Sequence, residues 1–184
     1  MDALIIQRME EGSAEKAGRM LKTGAVGVLP CDTIYGLSGM VGEASAGRLY
    51  EIKRRPQSKS FITLMTLSQL EESSLQVPTE LLRIWPAPLT AILRDGRSGE
   101  TVAVRVPDDD YIQRVMAISG PIYSTSVNFS GEKSLLSSED ILPVFSSLVD
   151  FIVADPSIHG GTASTLIDAT VRPFKVLRQG AYVI

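Results

Sequence analysis

A chain of 184 residues with 44% hydrophobic and 21% charged side chains holds enough apolar material for a core, which excludes a disordered chain. Its formal net charge of -3 excludes a surface attracted as a whole to nucleic acid or anionic membrane, so any bound anion must meet a local patch of cations. A single cysteine, Cys31, and a single histidine, His159, exclude an internal disulfide, a cysteine-rich zinc site and a histidine-rich metal site.

The opening segment MDALIIQRMEEGSAEKAG lacks the apolar run of a signal peptide. No stretch approaches the roughly 20 apolar residues that span a bilayer. The expectation is a cytoplasmic protein without a membrane partner, with residues 1–184 forming one domain. Ser13 to Thr23 reads as a helix, because Ala14, Ala17, Met20 and Leu21 recur at helical spacing and Gly24 sits where a C-terminal cap belongs. Ala25 to Leu29 is a short apolar run stopped by Pro30, a buried strand. Ala44 to Arg54 reads as a helix that ends before Pro56. Phe61 to Met65 reads as a strand and Thr79 to Trp85 as a short helix. Leu89 to Leu93 and Thr101 to Val106 are strands, with Asp95-Gly96 as the turn signal between them. Tyr111 to Ile118 is helical and Ile122 to Ser126 a strand. Ser138 to Leu148 reads as a helix with Ser138 as N-cap, interrupted or delayed by Pro143. Phe151 to Val153, Ser164 to Ile167 and Lys175 to Leu177 complete the strands. Interleaved helices and strands predict an α/β fold, and the helix-poor end predicts a mixed rather than a purely parallel sheet.

Cations concentrate in Lys53-Arg-Arg-Pro-Gln-Ser-Lys59, at the C-terminal end of a predicted helix. There the helix dipole favours positive charge, so a solvated helix end accounts for them. A phosphate clamp is the alternative: Lys53 and Arg55, with Lys59 beyond the proline, can converge on one polyanion, the arginine as a planar fork and the lysines as point charges. Ser124-Thr-Ser-Val-Asn-Phe-Ser-Gly131 places hydroxyls and an amide at a strand's end. A polar turn explains it, but Ser126 and Asn128 project to one side if the chain stays extended. Arg105 interrupts the apolar run Val102 to Pro107, and Arg178 precedes a glycine at another strand end. No GxxxxGK[ST] loop and no GxSxG elbow is present.

In order along the chain these segments resemble the YrdC/TsaC family, the threonylcarbamoyl-AMP synthases. Pro30-Cys-Asp-Thr-Ile-Tyr-Gly-Leu37 is similar to the family's P-T-D-T-x-Y-G-L, Lys53-Arg-Arg-Pro56 to K-x-R-P, and Trp85-Pro-Ala-Pro-Leu-Thr90 to W-P-G-P-L-T. Val104-Arg-Val-Pro107 resembles R-x-P, and Ser124-Thr-Ser-Val-Asn128 contains S-x-N. Ser164-Thr-Leu-Ile-Asp168 resembles S-T-V-V-D, and Leu177-Arg-Gln-Gly180 resembles L-R-P-G. Each motif is weak alone; their order is specific.

The resemblance implies a twisted, mixed open sheet with flanking helices and a concave ligand pocket. It implies an enzyme that forms threonylcarbamoyl-adenylate and pyrophosphate from L-threonine, bicarbonate and ATP, with Mg2+ on the phosphates, for the t6A modification of tRNA. It places Lys53, Arg55, Lys59, Thr101, Asn128 and Arg178 at ATP, and Cys31, Thr33, Arg105, Ser126 and Ser164 at threonine. Lys53, Arg55, Ser126 and Asn128 carry the catalytic role, and no protein-held metal is implied. Partners would be tRNA and tRNA-modification proteins. Competing readings are a double-stranded RNA or tRNA-binding module, and a related carbamoyl-adenylate hydrolase or transferase. Two departures fall near these positions: Cys31 replaces a threonine of P-T-D-T, and Ser60 replaces the proline that follows the last lysine.

Overall fold

Strands β1 (Leu4–Gln7), β2 (Val26–Leu29), β3 (Gly36–Met40), β4 (Ile62–Leu64), β5 (Leu75–Gln76), β6 (Leu89–Asp95), β7 (Thr101–Arg105), β8 (Ile122–Ser126), β9 (Phe151–Ala154), β10 (Thr165–Asp168) and β11 (Lys175–Arg178) join in one sheet in this computed structural model, which describes residues 2–184. The strand order is β1-β9-β2-β3-β8-β4-β7-β6-β10-β11, with β5 paired to β6 off this path. β9 lies parallel to β1 and β2, whereas β3 and β8 run antiparallel to their neighbours. β4 pairs parallel with β7, β10 parallel with β6 and antiparallel with β11. The expected mixed open sheet with flanking helices is the fold observed.

The helices are α1 (Ser13–Lys22), α2 (Glu43–Lys53), α3 (Leu67–Glu72), α4 (Thr79–Ile84), α5 (Asp110–Ser119) and α6 (Ser138–Phe145). Ala14, Ala17 and Leu21 of α1 and Ile112, Val115 and Met116 of α5 cover Ile6, Leu29, Phe151 and Ile122 on one face of the sheet. Leu49 of α2 and Ile141 and Phe145 of α6 pack with Val26, Val28, Leu37 and Ile152 on the opposite face. A third cluster gathers Leu70 of α3 and Leu81 of α4 around Leu89, Ala91, Leu93, Val104 and Ile167.

Several boundaries differ from the sequence expectation, each for a local reason. The N-cap of α6 is Ser137, not Ser138: its Oγ accepts from the Asp140 N–H at 3.2 Å. Pro143 sits inside α6, which ends two residues later at Phe145 rather than at Leu148. The strands β1, β3 and β5 and the helix α3 are not among the elements expected from the sequence. A capping box marks α3: Thr66 Oγ1 accepts from Gln69 N at 3.2 Å while Gln69 Oε1 accepts from Thr66 N at 2.9 Å. The sequence signal for it, T-x-x-Q with Leu67 and Leu70 three residues apart, was available.

Candidate functional site

Residues paired across neighbouring strands share a face, so the register sorts the sheet's side chains. Gly36 lies opposite Ser126, Ser124 opposite Ile62, Leu64 opposite Arg105, Ile92 opposite Ala103, and Leu166 opposite Thr90. These residues therefore lie on the face that α1 and α5 cover further along the sheet. Beyond those helices the face mixes small and polar residues, Gly36, Ala103, Ser124 and Ser126, with Ile62, Leu64, Ile92 and Leu166. The result is a cavity of about 370 Å³, floored by Gly36, Ile62, Leu64, Ala103, Ser124 and Ser126.

The walls come from loops. Thr33 and Ile34 follow β2, Arg55, Ser60 and Phe61 follow α2, and Ser134 belongs to the loop after β8. Ser164 precedes β10 and Arg178 ends β11. Of the residues expected at ligands, the cavity brings together Thr33, Arg55, Arg105, Ser126, Ser164 and Arg178. Cys31, Lys53, Lys59, Thr101 and Asn128 are not among those lining it. Ser60, Ser124, Thr125 and Ser134 line it without having been expected. Alternation along β8 was a signal for Ser124, since it shares the parity of Ser126.

The cavity's three cations differ in how they are compensated. The Arg105 side chain is 6% exposed, and its Nη1 donates to Asp32 Oδ1 at 2.6 Å. Burial opposes its charge, but Cys31 and Asp32 outweigh that and hold the guanidinium above its ordinary value. Asp32 is fixed in turn by the Asp108 N–H, which donates to Oδ2 at 3.1 Å. Arg55 instead donates only to neutral groups, Ser60 O at 3.0 Å and Thr125 Oγ1 at 3.4 Å, and lies 5.2 Å from the Phe61 ring centre. Burial lowers its pKa from the ordinary value. Arg178 donates to Ser164 O, from Nη2 at 2.9 Å and Nε at 3.2 Å. Among the described residues neither Arg55 nor Arg178 pairs with a carboxylate, and no carboxylate lines the cavity. Uncompensated cations among hydroxyls, on a partly desolvated wall, give the cavity a local positive charge suited to an anion in a chain of negative net charge.

Other expected residues hold the frame. Lys53, the last residue of α2, is 2% exposed, and its Nζ donates to Asn128 Oδ1 at 2.7 Å, Asn128 O at 3.0 Å and Ser126 O. Asn128 also accepts from Ser126 Oγ at 2.7 Å and donates through Nδ2 to Glu132 O at 2.7 Å. Buried Ser164 shares a hydroxyl bond of 2.7 Å with Thr90. Lys59 is exposed, and its carbonyl accepts from Tyr50 Oη at 3.0 Å. Thr101 shares the face of Ala103 and Arg105 but lies at the exposed start of β7, about 13 Å along the strand from Arg105. Among the described residues no group of three or more His, Cys, Asp or Glu side chains can hold a metal ion, and no helix is long and apolar enough to cross a membrane.

Cys31 sits beside the Arg105 pair, its thiol donating to Asp32 Oδ1 at 3.1 Å while Sγ faces Arg105 Nη2 at 3.4 Å. Burial pushes the thiol up to about 12, against the pull of the Arg105 charge. It is therefore neutral at physiological pH. At pH 8 its thiolate fraction falls below that of an ordinary thiol by about three powers of ten, and the greater nucleophilicity of a high-pKa thiolate recovers about half of that in logarithmic terms. Alkylation of the native protein by iodoacetamide at pH 8 is expected to run on the order of a hundredfold slower than that of the urea-unfolded chain. Equal rates, followed by mass spectrometry, would show an ionised, open thiol.

Gly161 crosses the loop that carries Thr33. Its φ is +141°, and a Cβ there would stand 1.9 Å from the Thr33 carbonyl oxygen. Gly161→Ala is expected to cost more than about 1 kcal/mol and to push Thr33 off the cavity wall. Urea unfolding reads the first effect and ligand affinity the second; a variant unchanged in both would contradict this packing.

The fold and cavity define a mixed α/β protein with an arginine-lined, ligand-sized pocket on the open face of its sheet. The chain belongs to the Sua5/YciO/YrdC family, whose model, described as telomere recombination, matches residues 19–180. It is 30% identical over 189 residues to a threonylcarbamoyl-AMP synthase of Pyrococcus abyssi, covering 95% of this chain and 56% of that protein, so it spans a little over half of that relative. It is also 30% identical over 185 residues to a threonylcarbamoyl-AMP synthase of Vibrio cholerae, covering 90% of this chain and 96% of that one. The solved structure of P. abyssi Sua5 complexed with L-threonine matches with a TM-score of 0.87 at 28% identity, over 98% of this chain and 58% of that one. E. coli YciO matches with a TM-score of 0.82 over 99% and 96% of the two chains; at 22% identity this likeness concerns the fold alone.

Proposed function

We propose that this protein is an L-threonylcarbamoyladenylate synthase, with residues 1–184 acting as one YrdC-like unit. The observation that carries the reading is the placement of uncompensated Arg55 and Arg178 on the wall of a hydroxyl-lined cavity without a carboxylate. That chemistry suits a polyphosphate.

In this reading bicarbonate takes a proton and loses water to give CO2, and L-threonine's neutral amine adds CO2 to form a carbamate, releasing a proton. A carbamate oxygen then attacks the α-phosphorus of ATP. The bond to the bridging oxygen breaks, and pyrophosphate leaves. No protein nucleophile is consumed, so catalysis rests on alignment and on charge neutralisation as pyrophosphate departs. Arg55 and Arg178 meet the phosphates. Arg105, held in place by Asp32, together with Thr33 and the Ser164 hydroxyl, borders the amino-acid end. Mg2+ arrives with the nucleotide: a cavity without carboxylates leaves phosphate oxygens and water as its ligands. A product so labile implies transfer to tRNA through tRNA-modification proteins.

The test is incubation with ATP, bicarbonate and each amino acid in turn, with pyrophosphate release and the adenylate followed by mass spectrometry. Threonine-dependent appearance of both is the expected result. Pyrophosphate without an adenylate, or consumption of a supplied carbamoyl-adenylate without pyrophosphate, would favour the hydrolase or transferase reading. Salt-dependent RNA binding without turnover would favour the RNA module.

A further inference from the structure

The K-x-R and S-x-N segments meet in space, but their members do not play equivalent parts. Arg55 and Ser126 line the cavity; Lys53 and Asn128 do not. An ammonium has three protons to donate. Those of Lys53 are matched by Ser126 O, Asn128 O and Asn128 Oδ1. The Asn128 side chain is equally committed: its oxygen receives Lys53 and the Ser126 hydroxyl, and its nitrogen gives to Glu132 O. A second tie runs the other way, from the Ser130 N–H to the Lys53 carbonyl at 2.9 Å. The end of α2 and the turn after β8 are thus clasped through one buried side chain.

We propose that Lys53 is a positioning residue, which acts on the ligand through the Ser126–Asn128 turn by fixing where the Ser126 hydroxyl stands at the cavity wall. A lysine that contacted phosphate would keep its ammonium free and turned to the cavity. This one is buried and saturated, and it does not line the cavity. Its surroundings agree: burial, with the neighbouring Arg55 charge, lowers its pKa to about 8. Arg55 is the charged group whose field bears on it, and the turn opposite offers only carbonyl and amide oxygens. The three acceptors are what keep the ammonium there against that cost.

The experiment has one arm without ligand and one with ATP. In the free protein, the side-chain amide resonance of Asn128 and the backbone amides of Ser126 to Asn128 are compared between parent and Lys53→Met. Shifts confined to this turn and the end of α2 are expected, and an unchanged turn would overturn the proposal. In the second arm, which rests on the reading of the cavity as a nucleotide site, ATP affinity is measured calorimetrically for parent, Lys53→Met, Asn128→Ala and the double variant. Lys53→Met alone is expected to weaken ATP roughly ten-fold, and by less than about three-fold once Asn128 is already alanine, because both changes undo the same clasp. An equal loss in both backgrounds marks an independent phosphate contact and overturns the proposal. If the parent binds no ATP, the nucleotide reading fails and the ligand-free arm decides alone. Lys53→Gln, which can restore one of the three bonds, replaces Lys53→Met throughout should that variant not fold, and its expected effects are smaller in the same direction.

Discussion

Arg105→Ala is expected to destabilise the fold by about 3–5 kcal/mol, the usual consequence of removing one partner of a buried ion pair. Both side chains are almost enclosed, Arg105 at 6% and Asp32 at 8% exposure, and their N–O distance is 2.6 Å. Without the guanidinium, Asp32 keeps only the Asp108 N–H and the Cys31 thiol as donors. Those do not replace a full charge in a desolvated corner. For a chain of this length the loss corresponds to a melting point lower by roughly 10 °C. Asp32→Asn combined with Arg105→Met removes both charges and should recover most of the loss, since no charge is then left buried without its partner. Urea denaturation of the parent and the two variants measures this directly. A loss below about 1 kcal/mol for Arg105→Ala would mean that water reaches the pair and that its energetic role is small.

The pair also shows what a sequence can and cannot disclose. Arg105 inside an apolar run was legible as unusual, but nothing in the spacing of Asp32 and Arg105 announces that they meet. Their contact is made by topology, because β7 and the loop after β2 end at the same side of the sheet. The same limit explains β3. Gly36-Leu-Ser-Gly-Met40 has weak strand propensity, yet it pairs on both sides, with β2 and with β8. Tertiary pairing overrides local preference there. A Cβ on Gly36 would stand 2.3 Å from Ser124 Oγ, so the residue that lowers strand propensity is the one the cavity floor requires. By contrast α1 and α5 were legible because their apolar stripes have helical period and each covers the other.

For the site, the residue types were legible in the sequence but their arrangement was not. KRRPQSK contributes one side chain to the cavity, and its cations diverge: Lys53 turns into the protein, Arg54 caps α2 with a φ of +50° and lies 4.5 Å from the Phe129 ring centre, Arg55 faces the cavity, and Lys59 faces solvent. Alternation in a loop does not predict convergence, because the loop has no fixed period. Ser126 and Asn128 stay bonded side chain to side chain at 2.7 Å, but only Ser126 reaches the cavity, since the strand ends at Ser126 and the chain turns before Asn128.

Arg55→Ala should therefore be the cation change that costs most in nucleotide binding for least cost in stability. Its guanidinium gives only two bonds to neutral groups, at 3.0 and 3.4 Å, and its Nε has no partner. Little of the native fold depends on those bonds; stacking against Phe61 contributes about 0.5–1 kcal/mol. A charge-assisted contact to phosphate contributes about 1.5–3 kcal/mol, so ATP should bind roughly ten- to a hundredfold more weakly. Arg55→Lys keeps the charge but loses the planar fork and should fall between the two. The weakening should also shrink as salt is raised, because the lost interaction is an electrostatic one on a half-open wall. Calorimetric titration of ATP into parent and both variants at low and high salt provides the measurement. An Arg55→Ala protein that binds ATP as the parent does would remove this residue from the anion site and leave Arg178 as its remaining uncompensated cation.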